Sequence, residues 1–121
     1  MASTLKAVRF TNSSTSFQTA YTALGTSPST SPATHKSTLL TGLRVVNSDS
    51  SNIDHTYSVQ IVDSGGTAYL LMNDDVIQAK AGRDLAPGGT TMVLNQGDII
   101  KLKADANSSV TLHIDVIERD A

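Results

Sequence analysis

The sequence has no cysteine, no tryptophan, only 3 prolines and few charges of either sign. Without cysteine there is neither a disulfide framework nor a thiolate metal site, so the chain is indifferent to the redox state of its compartment. Aromatic residues are 4% and charged residues 17% of the 121 positions, and the formal net charge is −2. Nucleic-acid binding needs basic surface or aromatic platforms, and adsorption to anionic membrane needs a cationic patch; the chain has none of these in sequence. No stretch approaches the ~18–20 apolar residues of a membrane span. The opening MASTLKAVRF lacks the continuous apolar run of a signal peptide. Nor is there helical periodicity of any length beyond a single turn's worth around residues 74–80.

What the chain has in abundance is Ser and Thr, about a quarter of all residues and concentrated before position 60. Thr suits the solvated face of a strand and Ser suits turns. A neutral polar surface of this kind suits dense packing against identical neighbours.

The strongest pattern lies in residues 90–119. Val110, Leu112, Ile114 and Val116 alternate with Thr111, His113 and Asp115, the period-two signature of a half-buried strand. Before it, Ile100, Leu102 and Ala104 share one face, opposite Ile99, Lys101 and Lys103. The turn formers Asp105-Ala106-Asn107-Ser108 between them predict an antiparallel hairpin. Met92-Val93-Leu94 predicts a third strand folded onto the pair through the turn Asn95-Gln96-Gly97-Asp98. There Gly97 supplies a positive φ and the Asp98 carboxylate accepts nearby N–H groups.

Upstream, residues 5–11 predict an edge strand and residues 17–24 a second strand, with Phe17, Thr19, Tyr21 and Ala23 on one face. Residues 38–47 predict a third, burying Leu39, Thr41, Leu43 and Val45, with Gly42 marking a bulge or close approach. Tyr57, Val59 and Ile61 alternate in a fourth, which turns at Asp63-Ser64-Gly65-Gly66 into residues 67–72. Residues 76–80 predict a short strand and residues 84–89 a Pro/Gly turn. The sum is an all-β chain of about eight or nine short strands, an antiparallel β-sandwich, jelly-roll-like or Ig-like. Residues 38–121 form its expected core. Residues 1–37 supply N-terminal strands and an extended arm, in one domain overall. Residues 25–36, GTSPSTSPATHK, are a long loop or an arm that orders against a partner.

Titratable groups are too scattered to predict catalysis. His35, His55 and His113 lie in separate settings, and no Ser has a G-x-S-x-G context. Asp74-Asp75, or Asp63 with Asp49 and Asp54, offer oxygen ligands for Ca²⁺, but no DxDxDG-type loop holds them and turn capping is the preferred account. Gly88-Gly89 lacks the Lys of a phosphate loop. No enzyme activity, cofactor or metal is expected.

One resemblance adds to this. A strand ending Leu43-Arg44-Val45-Val46-Asn47, a polar loop, a strand ending at Asp63, the turn Ala86-Pro87-Gly88-Gly89, the run from Val93 through Gly97-Asp98-Ile99-Ile100-Lys101-Leu102, and the ending Ile117-Glu118-Arg119 resemble a group of small bacteriophage virion proteins. The resemblance spans residues 38–119. It implies a structural virion component, made in the host cytoplasm: a head decoration or cement protein that self-associates, with a trimer favoured, and docks on major capsid protein or other virion proteins. The alternatives it leaves are a neck or tail accessory protein and a tail-fibre carbohydrate-binding module. It carries no catalytic residues. Residues 1–12 and 25–36 are the expected contact elements, with Phe10, Tyr21, Pro28, Pro32 and His35 as candidate contacts.

Overall fold

The computed structural model describes residues 3–23, 36–85 and 91–120. Nine strands lie among the described residues: β1 (Ser3–Thr11), β2 (Gln18–Thr22), β3 (Lys36–Asn47), β4 (His55–Val62), β5 (Ala68–Ile77), β6 (Gly82–Asp84), β7 (Met92–Leu94), β8 (Ile99–Ala104) and β9 (Val110–Asp120). They form two antiparallel sheets. One runs β1-β9-β3 and is continued by β6 and β7, both on β3; the other runs β2-β8-β4-β5. The protein is a β-sandwich.

The pairing has a simple logic. First pairs with last (β1 with β9), second with second-last (β2 with β8), β3 with β7, and β4 with β5. The chain is thus one long antiparallel ribbon, doubled at the turn after β4 and rolled so that successive rungs fall in alternate sheets. That is the jelly-roll arrangement, which resolves the jelly-roll and Ig-like alternatives. The turn at its centre is the Gly-Gly turn anticipated from sequence. Asp63 Oδ1 accepts the N–H groups of Gly65 and Thr67 at 3.0 and 2.9 Å, and Gly66 takes φ +89°.

This topology corrects the predicted C-terminal hairpins. β8 and β9 belong to different sheets, as do β7 and β8, so residues 95–98 and 105–109 are arches that carry the chain across the sandwich. The alternation in both strands names the buried face correctly: Ile100, Leu102, Ala104, Val110, Leu112, Ile114 and Val116 are all buried. Alternation says nothing about which strand lies alongside, because two strands can bury the same face side by side or across a core.

Bulges correct three further expectations. In β3 the register slips between Leu40 and Gly42, opposite Val116 and Asp115. The buried set is therefore Thr38, Leu40, Leu43, Val45 and Asn47, with Leu39 and Thr41 only partly covered. A Cβ on Gly42 would stand 2.9 Å from Asp115 Oδ2, so the glycine serves both the bulge and the close approach. In β2 a slip between Thr19 and Tyr21 leaves Thr19 exposed while Tyr21 and Ala23 are buried. In β5, irregular pairing opposite 57–60, with Asp74 at φ +47°, lets one strand run on to Ile77 instead of breaking into two. Residues 82–84, assigned by sequence partly to a turn, pair with β3 as β6.

β1 and β2 are the sheets' edges on one side of the sandwich, and Val8, Phe10, Tyr21 and Ala23 pack into the same core as the later strands. Burying an aliphatic side chain of this kind is worth roughly 1.5–3 kcal/mol before entropy is counted.

Candidate functional site

Polar side chains collect at the two ends of the sandwich. At one end meet the β1–β2 loop, the β3–β4 loop and the β8–β9 arch, and buried polar residues bind them together. Asn12 Oδ1 accepts from Ser109 and Val110 N–H at 3.1 and 3.0 Å, while Nδ2 donates to the Ala106 and Ser14 carbonyls at 2.7 and 3.0 Å. Asn47, at the end of β3, donates to the carbonyls of Ile53 and Ile77. Ser48 ties the β3–β4 loop to the arch by donating its N–H to Ser109 O, and to the start of β9 by accepting at its hydroxyl from Thr111 Oγ1. Asn and Ser at these positions satisfy backbone groups that no ladder can reach.

His55 opens β4 in the middle of this network. Its Nε2 lies 2.7 Å from Asp49 Oδ2 in the β3–β4 loop, and its Nδ1 lies 2.7 Å from Asp105 Oδ1 in the arch. Its side chain is only 6% exposed. The Asp49 hydrogen bond is the main force raising the His55 pKa above its ordinary value; burial opposes it and Asp105 adds to it. The same contact leads the lowering of the Asp49 pKa, helped by Ser51, whose N–H donates to Oδ1 at 2.8 Å.

At the opposite end Tyr21 donates its hydroxyl to Glu118 Oε2 at 2.6 Å, both residues being buried. Burial first, then the carboxylate, pushes the phenol pKa well above its usual range. Lys6 Nζ sits 5.9 Å from the ring centroid. Burial likewise raises Tyr57, whose hydroxyl donates to Asp75 beside Arg83.

The Asp residues weighed as calcium ligands act as caps and anchors. Asp63 caps the central turn, Asp54 accepts from Ala79 N–H at 2.9 Å, and Asp74 accepts from the Ser58 hydroxyl. Asp98 accepts from Asn95 N–H at 2.8 Å beside Gly97 at φ +88°, as its sequence predicted. His113, on the outer face of β9 between Arg9 and Arg44, is held below its ordinary pKa by burial and then by those two cations. A shallow cavity of about 250 Å³ lies beside the His55 end, lined by Thr15, Thr56, Tyr57, Asp74, Lys103, Ala104 and Asp105.

No protein-family model matches the chain, and no curated protein matches it.

Of the candidate contacts, Pro28, Pro32 and His35 lie outside the described residues. Phe10 is half-buried against the core and Tyr21 is inside it, 5% exposed, with its hydroxyl already engaged. Among the described residues the large exposed apolar side chains are others: Leu5 on β1, Tyr69, Leu70 and Val76 on β5, Val93 on β7 and Ile53 in the β3–β4 loop. The Tyr21–Glu118 pair and the Asp105 side of the His55 clamp have no local sign in the sequence, because those partners are 97 and 50 residues away; Asp49 stands 6 residues before His55, but that spacing alone does not set it against the ring.

Proposed function

We propose that the protein is a structural component of a bacteriophage particle, a capsid decoration protein that associates with copies of itself and docks on the shell. The observation that carries this reading is that both lateral sides of the sandwich end in edge strands bearing large exposed apolar side chains. β1 presents Leu5, 81% exposed, and β5 presents Tyr69 and Leu70, each more than half exposed. Edges with unpaired N–H and C=O groups are the natural place for a neighbouring chain to add. The jelly roll is an architecture shared by viral shell proteins and lectins, so topology alone favours both classes. The aromatic residues separate them. Sugar sites stack rings on exposed aromatics, yet Tyr21 and Tyr57 are buried, Phe10 and Phe17 are partly covered, and Tyr69 stands alone. The resemblance of residues 38–119 to small virion proteins points the same way.

Immunogold electron microscopy of particles from the phage carrying this gene tests the reading. Regular labelling of heads is the expected result. Labelling of necks or tails selects the accessory role instead, and particles without label overturn both. Because β1 and β2 are strands of the sandwich itself, the arm is tested by replacing residues 24–35 with a short Gly/Ser linker, and loss of particle binding is expected.

A further inference from the structure

We propose that His55 is a proton-operated clip that fastens the β3–β4 loop to the β8–β9 arch. The argument is one of donors and acceptors. A carboxylate only accepts, and a neutral imidazole carries one N–H. His55 has a carboxylate oxygen 2.7 Å from each ring nitrogen, so both contacts are hydrogen bonds only when the ring is the imidazolium. When the ring loses a proton, one nitrogen turns a lone pair toward an aspartate at the same distance, and that contact becomes repulsive. The ring is too buried for water to take over the lost bond easily.

The partners belong to separate segments. Asp49 is pinned within its own loop by the N–H of Ser51, and Asp105 is pinned to β4 by its own N–H to the Thr56 carbonyl. The two aspartates are the charged groups that act on His55 from the loop and from the arch. Asp54, its neighbour in sequence, is turned to Ala79, and from β8 Lys103 lines the neighbouring cavity together with Asp105. β5 brings the uncharged Ile77 opposite His55. The clip therefore holds while His55 is protonated and both aspartates are ionised, and opens as pH rises through the raised pKa of His55. The surface it controls is residues 49–54 and 105–107, which carries exposed Ile53. Asn12 and Ser48 keep the arch attached when the clip opens, so the change is local.

Nuclear magnetic resonance on the intact chain tests this. The His55 ring signals should titrate above the ordinary value of about 6.5. Amide-exchange protection of residues 49–54 and 105–107, corrected for the intrinsic pH dependence of exchange, should fall across that same titration, while Ser48, Ser108 and Ser109, bonded to the arch and to Asn12, keep theirs. The fall approaches about tenfold for each pH unit by which His55 titrates above an unfolded chain. Protection in β4 and β8 should hold. His55→Gln should show the opened protection at every pH, and Asp105→Asn should lower the His55 titration in a chain that keeps the ring; His113→Gln should change nothing at this end. A ring titrating at or below about 6.5, or loop protection indifferent to pH in the native chain, overturns the proposal.

Discussion

Asn12 and Val110 are joined twice: the Asn12 N–H donates to the Val110 carbonyl at 3.2 Å, and the Val110 N–H donates to Asn12 Oδ1 at 3.0 Å. The pair closes the corner where β1 leaves β9, and Asn12 is buried there. Asn12→Ala strands the N–H groups of Ser109 and Val110 with no acceptor and is expected to cost about 2–4 kcal/mol. Asn12→Asp keeps the acceptor but sets an oxygen against the Ala106 carbonyl, so its cost should be smaller and rise with pH. Urea unfolding should show a lowered midpoint at an unchanged slope.

Tyr21→Phe removes the donor to the buried Glu118 carboxylate and should cost about 1–3 kcal/mol. Adding Glu118→Gln should recover part of that, because a neutral amide tolerates the loss better than a carboxylate. The non-additivity is the readout, measured by a double-mutant cycle. In an alkaline absorbance titration, Tyr21 should stay un-ionised through the usual phenol range for as long as the chain is folded.

Two histidines should tilt the stability curve in opposite directions. The His55 pKa is raised on folding, so its contribution is full below about 6.5 and is lost as pH rises through the folded value. The His113 pKa is lowered, so its contribution is full above about 6.5 and is lost as pH falls through the folded value. Asp49 adds an acid limb: its lowered pKa contributes stability above its ordinary value that disappears as pH falls through the folded one. His55→Gln should remove the loss on the alkaline side and His113→Gln the loss between neutral and mildly acid pH. Thermal unfolding across pH 3–9 in about half-unit steps checks all three limbs.

Gly66 and Gly97 share a positive φ, +89° and +88°, but differ in surroundings. A Cβ on Gly66 meets nothing, whereas one on Gly97 comes 3.1 Å from the Ser64 Cβ. Gly66→Ala is therefore expected to cost about 1 kcal/mol from backbone strain alone. Gly97→Ala should cost more, about 2 kcal/mol, because the arch must also move away from the central turn. The order of the two melting temperatures is the test.

Local chemistry determined much of this protein. Alternating Val110, Leu112, Ile114 and Val116 named the buried face of β9. Gly97 with Asp98 named a tight turn, and Asp63 through Gly66 named the hairpin at the ribbon's centre. These are short-range facts, since side-chain alternation and turn chemistry are written within a few consecutive residues. Tertiary structure decided the rest. Whether β8 lies beside β9 or across from it depends on which ladders the rolled ribbon completes, and both choices bury the same side chains. The slip at Thr41-Gly42, which exchanges Leu39 for Leu40 in the core, follows from β3 serving β9 on one side and both β6 and β7 on the other. The His55 clamp arose the same way. An imidazole becomes a clip only where folding delivers Asp49 and Asp105 to its two nitrogens, and no spacing along the chain encodes that meeting.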